Sequence, residues 1–410
     1  MAREVMVTLF PETQAFAERR PEARAALSVS HLTKRFGTEP ILNDVSFAVE
    51  EGESLVLLGP SGSGKSTTLR LIAGLESPDA GQIRIRSRQV EGLRARDRNV
   101  GVIFQHYALF PQMTVAENIG FGLKIRKVKA RDREPVISRL LELIGLSEQR
   151  GKYPSQISGG QAQRVAIARA LAYEPDVLLF DESFSALDPQ TRVPLRREIR
   201  ALLRKLRIPS LFITHDQEEA MELGDQIAIL NRGRIEQIGS PAEVYNDPQT
   251  EFVATFLGAA NVMQGAWQDG LIRLDSDRYL APTGGLTPLV NGTRTRVIFR
   301  PEDVSLGSAT GLIETPYHLG RGEITDVGFT GATENLTVRL LTYTQSGNLV
   351  MPRNDSGRHG FASFGNTSSS EFVIKAVRSK WDARKLKLRT GDRVTVGLKS
   401  YKALHTPEDN

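Results

Sequence analysis

The stretch GPSGSGKST, residues 59–67, follows a short apolar run, Ser54–Leu58, and precedes a helical pattern, Leu69–Ala73. It matches GxxxxGK[ST], a pattern that requires a strand before it and a helix after it. Glycines let backbone N–H groups surround phosphate oxygens, the lysine reaches the outer phosphates, and the last hydroxyl can hold Mg²⁺. The sequence therefore predicts a nucleotide phosphate site made by Gly59, Pro60, Ser61, Gly62, Ser63, Gly64, Lys65, Ser66 and Thr67.

Two acidic residues, Asp181 and Glu182, follow a second apolar run, Val177–Phe180. An aspartate at the end of such a strand can join Ser66 in holding Mg²⁺. The glutamate is then placed to orient or deprotonate an attacking water. The alternative is that two acids merely end a strand.

A second anion cradle is predicted at Ser158, Gly159, Gly160 and Gln161, which precede the helical stretch Ala162–Ala172. The serine suits a helix cap, and the glycines expose backbone N–H groups at a helix start. One γ-phosphate does not need two cradles in one chain. The second cradle is therefore expected to serve the ATP of another copy.

Composition bounds the remaining possibilities. The chain has 410 residues, which suggests two or three domains, and no cysteine, which excludes disulfides and thiolate metal sites. The net charge of +5 does not by itself indicate nucleic acid. No apolar run approaches the ~20 residues that span a bilayer. Residues 1–26 carry scattered charges and are expected to form a poorly ordered extension.

The order of elements predicts a mixed α/β fold. Short apolar runs, among them Ser210–Ile213, alternate with helical patterns, which indicates a mostly parallel sheet. Residues 114–172 read as a helical insert in which Val136, Ile137, Leu140, Leu141 and Ile144 share one face, with Pro135 in the first turn. Short β-like runs follow from about residue 241 and predict a small β-barrel-like domain up to residue 410, with a loop at Asn354–Ser370.

Taken together, five stretches resemble the ATP-binding-cassette (ABC) ATPases over about residues 27–245: GPSGSGKST, QHYALFPQMTV, ISGGQAQRVAIARAL, LLFDESFSALD and ITHDQEEAM. The resemblance implies a P-loop NTPase cassette over residues 27–240 that binds ATP and Mg²⁺ and hydrolyses ATP. It also implies a C-terminal regulatory domain of the OB type over residues 241–410.

The resemblance assigns roles residue by residue. Phe36 is similar to the aromatic that stacks on adenine, although core packing is the alternative. Gln105 resembles the loop glutamine that approaches Mg²⁺, and His215 resembles the switch histidine at the γ-phosphate. Ser158–Gln161 match the signature that closes on the opposite subunit's ATP, and Ala186, Leu187 and Asp188 match the loop that links the two sites. Ile157 and Ser183 depart from the usual Leu and Pro, and affect the expected rate only.

Partners are also implied by the resemblance. Such chains work as head-to-tail homodimers on the cytoplasmic face of the inner membrane, with separate permease subunits and an extracytoplasmic solute-binding protein. Gln105–Val115 resembles the surface that receives a permease helix, with Tyr107, Leu109 and Phe110 as groove residues or, alternatively, as core. A non-transport ABC protein is the remote alternative, because only one cassette is present.

The substrate is indicated by resemblance alone. The stretch FRPEDVSL, residues 299–306, is similar to importer ATPases for sulfate, polyamines, ferric iron, molybdate and sugars. The cassette most resembles the sulfate/thiosulfate members, with polyamine importers as the alternative. A basic stretch, Arg378–Arg393, reads as a solvated surface or an anion-sensing one, and no nucleic acid is expected because Trp381 is its only aromatic residue.

Overall fold

The computed structural model describes residues 25–185, 187–275, 278–282, 290–309, 311, 313–341 and 372–405. The expected N-terminal extension, except for its last two residues, and the loop Asn354–Ser370 lie outside the described residues, as does Ala186. The chain divides into two compact units between Asn246 and Asp247.

The first unit contains ten strands and seven α-helices among its described residues. The strands are β1 (Leu27–Phe36), β2 (Glu39–Val49), β3 (Ser54–Leu58), β4 (Ala80–Ile85), β5 (Arg88–Gln89), β6 (Val100–Ile103), β7 (Val177–Asp181), β8 (Ser210–Thr214), β9 (Gln226–Asn231) and β10 (Arg234–Gly239). The helices are α1 (Lys65–Ala73), α2 (Val115–Ile125), α3 (Ala130–Leu143), α4 (Gly159–Leu171), α5 (Pro189–Leu206), α6 (Gln217–Leu223) and α7 (Pro241–Asn246).

A six-stranded sheet positions the loops of interest. Its strand order is β10-β9-β3-β8-β7-β6, and all neighbours pair in parallel except β10 with β9. Every residue of β3 and β8 is buried, as expected for parallel strands covered on both faces. Because parallel strands end at the same edge, the residues that follow β3, β7 and β8 meet there.

A second sheet in this unit is antiparallel, in the order β2-β1-β4-β5. Its apolar residues share one core with α1 and with the six-stranded sheet, including Leu32, Leu42, Leu69, Ile83 and Leu179. This core fixes the position of α1, which carries Lys65 and Ser66, against both sheets.

The helical insert is confirmed, since α2, α3 and α4 all lie within residues 114–172. The predicted buried face of α3 is found at Ile137, Leu140, Leu141 and, just after the helix, Ile144. The placement of Pro135 was wrong. The helix begins five residues earlier, at Ala130, so the proline lies inside it. A backbone hydrogen bond stabilises the first turn, in which the Arg133 N–H donates to the Lys129 carbonyl at 3.1 Å.

The second unit is β-rich. It comprises α8 (Glu251–Phe256), β11 (Asn261–Gln268), β12 (Leu271–Arg273), β13 (Tyr279–Leu280), β14 (Arg294–Phe299), β15 (Val304–Ser308), β16 (Tyr317–Phe329), β17 (Thr333–Leu340), β18 (Val373–Ser379), α9 (Lys380–Lys385), β19 (Arg393–Leu398) and β20 (Lys402–His405). Two antiparallel sheets, ordered β13-β12-β11-β14-β20 and β15-β19-β16-β17-β18, share one apolar core. The prediction of a β-rich fold in the C-terminal part of the chain is confirmed.

The stretch Phe299–Leu306 has a structural role in this unit. The guanidinium of Arg300 is buried and donates to the carbonyl oxygens of Ala254 (2.7 Å) and Leu257 (3.1 Å) at the end of α8. A cation that binds the last carbonyls of a helix also interacts favourably with the negative end of the helix dipole. The arginine of this motif therefore ties α8 to β14.

Within the described part of the chain, no helix combines the length and apolar character that crossing a membrane requires.

Candidate functional site

The loop Gly59–Thr67 joins β3 to α1 and has a fixed shape. Gly62 and Gly64 have φ of 79° and 91°, in the left-handed region that glycine adopts without a side-chain penalty. A Cβ on Gly59 would lie 2.2 Å from the carbonyl oxygen of Leu230, so this loop packs directly on β9. Glycine is therefore required by space at the first position and by backbone conformation at Gly62.

Lys65 opens α1, and its side chain is buried. Its Nζ donates to the carbonyl oxygens of Gly59 (2.9 Å) and Pro60 (3.1 Å) in the preceding loop. Burial lowers the pKa of Lys65, while the neighbouring Glu182 and Asp181 raise it. A buried ammonium at the start of a helix makes this loop suitable for an anion.

Asp181 ends β7, and its carboxylate interacts with the hydroxyl of Ser66. Burial, reinforced by the neighbouring Glu182, raises the pKa of Asp181. A carboxylate and a hydroxyl that face each other beside a phosphate loop are hard oxygen donors, the type of ligand that Mg²⁺ takes.

Glu182, His215 and Gln105 come together at the same sheet edge. The backbone of Glu182 has a φ of 44°, and its N–H donates to the carbonyl of Ile213 at 3.0 Å. Its Oε1 lies 3.2 Å from Nδ1 of His215, which directly follows β8. Gln105 donates to the Ser185 hydroxyl (3.2 Å), which donates to the Glu182 carbonyl (2.8 Å). A non-glycine residue with positive φ is uncommon and often marks a functional site.

The second predicted cradle lies at the start of α4. The side chain of Ser158 accepts from the N–H of Gln161 at 3.3 Å, and the Gln161 side chain accepts from the N–H of Ser158 at 2.9 Å. Ser158 and Gly159 are exposed. This reciprocal capping arrangement fixes the helix start and leaves the glycine N–H groups as helix-terminal donors.

Asp188 is the N-cap of α5 and lies close to this second cradle. It accepts from the N–H of Thr191 at 2.9 Å, and the hydrogen bonds from Thr191 lower the pKa of Asp188. A Cβ on Gly159 would lie 3.1 Å from Leu187, and one on Gly160 would lie 3.2 Å from Thr191. The predicted residues thus form two groups, one around Lys65 and one around Ser158.

Phe36 stands apart from both groups. It ends β1 with 53% of its surface exposed, and the Lys34 ammonium lies 5.5 Å from its ring centroid. The alternative that Phe36 is a core residue was therefore wrong. An exposed ring at the end of a strand is free to stack on a planar ligand.

The segment Gln105–Val115 is ordered by residues that the sequence analysis did not single out. Asn118 is fully buried, and its amide donates to the carbonyls of Phe110, Met113 and Thr114, each at 3.1 Å. Arg169 of α4 donates to the carbonyls of Tyr107 (2.8 Å) and Ala108 (2.6 Å), which both have positive φ.

A groove of about 300 Å³ opens between α2 and α3 next to this segment. Apolar side chains of Met113, Phe121 and Ile137 line it, together with the charged Arg133, Glu134 and Arg150. Phe110 packs on Phe121, with ring centroids 4.3 Å apart, so it supports the groove. Tyr107 and Leu109 are half-buried.

Arg98 is a third residue that the sequence analysis did not single out. It is buried, and its guanidinium donates to four carbonyls, including Leu71 (2.6 Å) and Ile72 (3.0 Å) at the end of α1. Burial lowers the pKa of Arg98, against the opposing effect of Glu91. A lone arginine before a strand carries no local signal of this role, because the two partners at the end of α1 are remote in sequence.

Comparisons with known proteins show the family to which the chain belongs. Residues 42–185 match the family described as ABC transporter. The sulfate/thiosulfate import ATP-binding protein CysA of Synechococcus elongatus is 47% identical over 281 residues, which is 68% of this chain and 77% of that protein. The Vibrio vulnificus protein of the same name is 51% identical over 256 residues (62% and 74%). The Shigella flexneri protein of the same name is 41% identical over 340 residues (82% and 91%).

Proposed function

Because this chain belongs to the ABC transporter family of ATP-binding proteins, we propose that it is the ATP-hydrolysing subunit of a sulfate/thiosulfate importer. One observation carries the chemistry: Lys65, Asp181, Glu182 and His215 converge where β3, β7 and β8 end. The likeness to sulfate/thiosulfate import proteins over most of their length supports the substrate.

We propose that the phosphates of ATP bind over Gly59–Thr67. The backbone N–H groups at the start of α1 and the Lys65 ammonium supply positive charge to the β- and γ-phosphates. The exposed ring of Phe36 is proposed to stack on the adenine.

We propose Ser66, Asp181 and Gln105 as the residues that would hold Mg²⁺. The Asp181 carboxylate interacts with the Ser66 hydroxyl, and both are hard oxygen ligands of the type that this ion prefers. When bound, the ion supplies positive charge that stabilises the phosphate oxygens during transfer.

Glu182 is proposed to orient the attacking water and accept its proton. Its carboxylate lies at the strand end beside Lys65, and its backbone is fixed by the bond to Ile213. His215, 3.2 Å from the same carboxylate, is proposed to contact the γ-phosphate and keep the carboxylate aimed. A positioned general base of this kind typically accelerates a reaction by about 10²–10⁴-fold.

A second copy of the chain completes the proposed site. Ser158–Gln161 form a separate helix-terminal cradle beside Asp188. In a head-to-tail homodimer, each such cradle would close on the ATP held by the other copy's phosphate loop. Two ATP molecules would then lie at the interface.

Permease subunits are the proposed partners on the cytoplasmic face of the inner membrane. The groove between α2 and α3 combines apolar side chains with flanking charges, which suits the end of an amphipathic helix. A permease and an extracytoplasmic binding protein would then select the solute. We propose that residues 27–240 are the ATPase domain and that residues 241–410 are regulatory.

Uptake measurements test the proposal. Cells that lack the gene are assayed with radiolabelled sulfate and spermidine and rescued with wild type or Glu182→Gln. Sulfate uptake restored only by wild type supports the proposal. Loss of spermidine uptake alone would move the assignment to the polyamine importers, and no change in either, without a redundant ATPase, would overturn both substrates.

A further inference from the structure

Two aspartates cap the helices that follow the two functional loops. Asp188 caps α5 and follows the loop that begins at Glu182, and Asp216 caps α6 directly after His215. Asp216 accepts from the N–H of Glu219 at 3.1 Å, so the start of α6 is fixed by this carboxylate. The two caps lie on different elements of the first unit.

Arg192 joins the two loops. It lies in the first turn of α5, and its own N–H donates to the carbonyl of Asp188 at 3.0 Å. Its Nη2 donates to the carbonyls of Leu187 (2.9 Å) and Ser185 (3.4 Å). Its Nη1 lies 3.5 Å from Oδ2 of Asp216. One guanidinium therefore contacts both the loop that ends at Asp188 and the cap of α6 that follows His215.

The contact is partly shielded from water. The side chain of Arg192 is 25% exposed and that of Asp216 is 28% exposed, and the Nε of Arg192 is buried. A planar guanidinium is suited to this position because it can donate to the carbonyls and to the carboxylate at the same time. A lysine side chain ends in a single nitrogen, so it cannot place one donor atom on the carbonyls and a different one on the carboxylate.

We propose that Arg192 is a positioning residue that couples the Asp188 loop to the His215 loop, so that a movement of one loop is transmitted to the other. Its role in communication between two ATP sites rests on the proposed function, in which Asp188 faces the site of the partner copy. Leu187 also packs next to Gly159 of the second cradle, which extends the connection to the start of α4.

Hydrogen exchange of the nucleotide-free protein tests the coupling without any activity. The informative amides are those of Ser185 and Leu187 in one loop and of Asp216 and Glu219 in the other. We expect Arg192→Gln and Arg192→Lys to raise exchange in both loops together by about tenfold or more. Arg197→Gln, on the same helix with a 74% exposed side chain, is the matched control and should change neither. Faster exchange in one loop only, or in neither, would overturn the proposal.

Steady-state ATPase assays test the communication. We expect wild type to respond to ATP with a Hill coefficient above 1, and Arg192→Lys to lower it to about 1 while single-site ATP affinity changes less than about twofold. An unchanged Hill coefficient in Arg192→Lys overturns the communication role. A wild type that does not hydrolyse ATP overturns the proposed function instead, and the exchange result still decides whether Arg192 couples the loops.

Discussion

The imidazole Nδ1 of His215 lies 3.2 Å from the Oε1 of Glu182, although the two residues end different strands. The parallel pairing of β7 with β8 sets this contact, since Asp181 is in register with Ile213. Each side chain then needs only one or two residues beyond its strand to reach the other. The sheet register, and not the loop sequence, determines that these two groups meet.

The first prediction concerns the carboxylate of Glu182. Glu182→Gln keeps the size of the side chain but removes the proton acceptor, so we expect ATP hydrolysis to fall by at least about 100-fold. ATP affinity should be retained, because the phosphate loop is unchanged, and ATP-held dimers should become more persistent. Phosphate release, nucleotide titration and size-exclusion chromatography with ATP measure these three properties.

Glu198→Gln is a suitable control, because that carboxylate lies on α5, pairs with Arg164 and has a 54% exposed side chain. It should hydrolyse ATP at nearly the wild-type rate. If Glu182→Gln kept more than about a tenth of the activity, the role of general base would have to pass to another group.

The second prediction compares two reasons for glycine in the phosphate loop, a lack of space for a side chain at Gly59 and a positive φ at Gly62. Gly59→Ala places a methyl group 2.2 Å from a backbone carbonyl, that of Leu230, which cannot rotate away. Gly62→Ala meets nothing within 4 Å but must adopt a φ of 79°, which costs about 1–2 kcal/mol. We expect Gly59→Ala to lower both the free energy of unfolding and the ATP affinity more than Gly62→Ala does. Urea denaturation and nucleotide titration of both variants decide this, and equal effects would contradict it.

How much of this arrangement the sequence could predict depends on how local each signal is. The phosphate loop, the buried strands Val177–Phe180 and Ser210–Ile213, and the apolar face of α3 all follow from spacing within a few residues. The start of α3 was missed because Pro135 was expected in a first turn. Instead, the N–H groups of Asp132 and Arg133 donate to the Lys129 carbonyl, so the first helical turn forms before the proline and the helix runs through it.

Remote partners explain what remained hidden. Arg98 binds carbonyls that lie 26 and 27 residues away, and Arg169 binds the carbonyl of Tyr107 62 residues away. An isolated arginine gives no local indication of such contacts. The packing of the Asp188 loop on the second cradle is equally remote in sequence, since Leu187 and Thr191, which flank Asp188, lie next to Gly159 and Gly160.

The third prediction follows from the buried guanidinium of Arg98. Arg98→Met would take one donor away from each of four carbonyls, two of them at the end of α1, and of these the Leu71 carbonyl would keep the N–H of Gly74. A buried acceptor that loses its partner costs about 1–3 kcal/mol, so we expect a total loss of about 3 kcal/mol or more in the free energy of unfolding. ATP affinity should fall as well, because α1 carries Lys65.

Arg94→Met provides the comparison for this variant. The Arg94 side chain is 70% exposed and pairs with Asp97 at 3.1 Å on the surface. Exposed pairs contribute about 0–1 kcal/mol, so the free energy of unfolding should change little. If chemical denaturation showed similar losses in the free energy of unfolding for the two variants, the buried hydrogen bonds of Arg98 would not be the cause of the loss.

The fourth prediction concerns the buried carboxyl of Glu219 in α6. Burial is the main cause that raises the pKa of Glu219 to about 7, and the charge of Asp216 adds to this effect. A hydrogen bond from Thr214 and the charges of Arg196 and Arg192 act in the opposite direction. Between the unfolded value of 4.5 and about 7, the folded state holds a proton that the unfolded state has lost. The contribution to stability is therefore complete below pH 4.5 and is lost as pH rises through about 7.

Glu219→Gln removes this titration while it keeps the shape of the side chain. We expect the free energy of unfolding of wild type minus that of Glu219→Gln to fall by about 1.4 kcal/mol per pH unit between pH 5 and pH 6.5, and to level off above pH 7. Thr214→Val removes the hydrogen bond that lowers the pKa, so the levelling should move to higher pH in that background. Urea denaturation at half-unit steps of pH measures both curves. Only a carboxyl that keeps its proton on folding produces this slope. If the difference in the free energy of unfolding stayed flat across this pH range, Glu219 would be ionised in the folded protein, with Arg196 as its counter-ion.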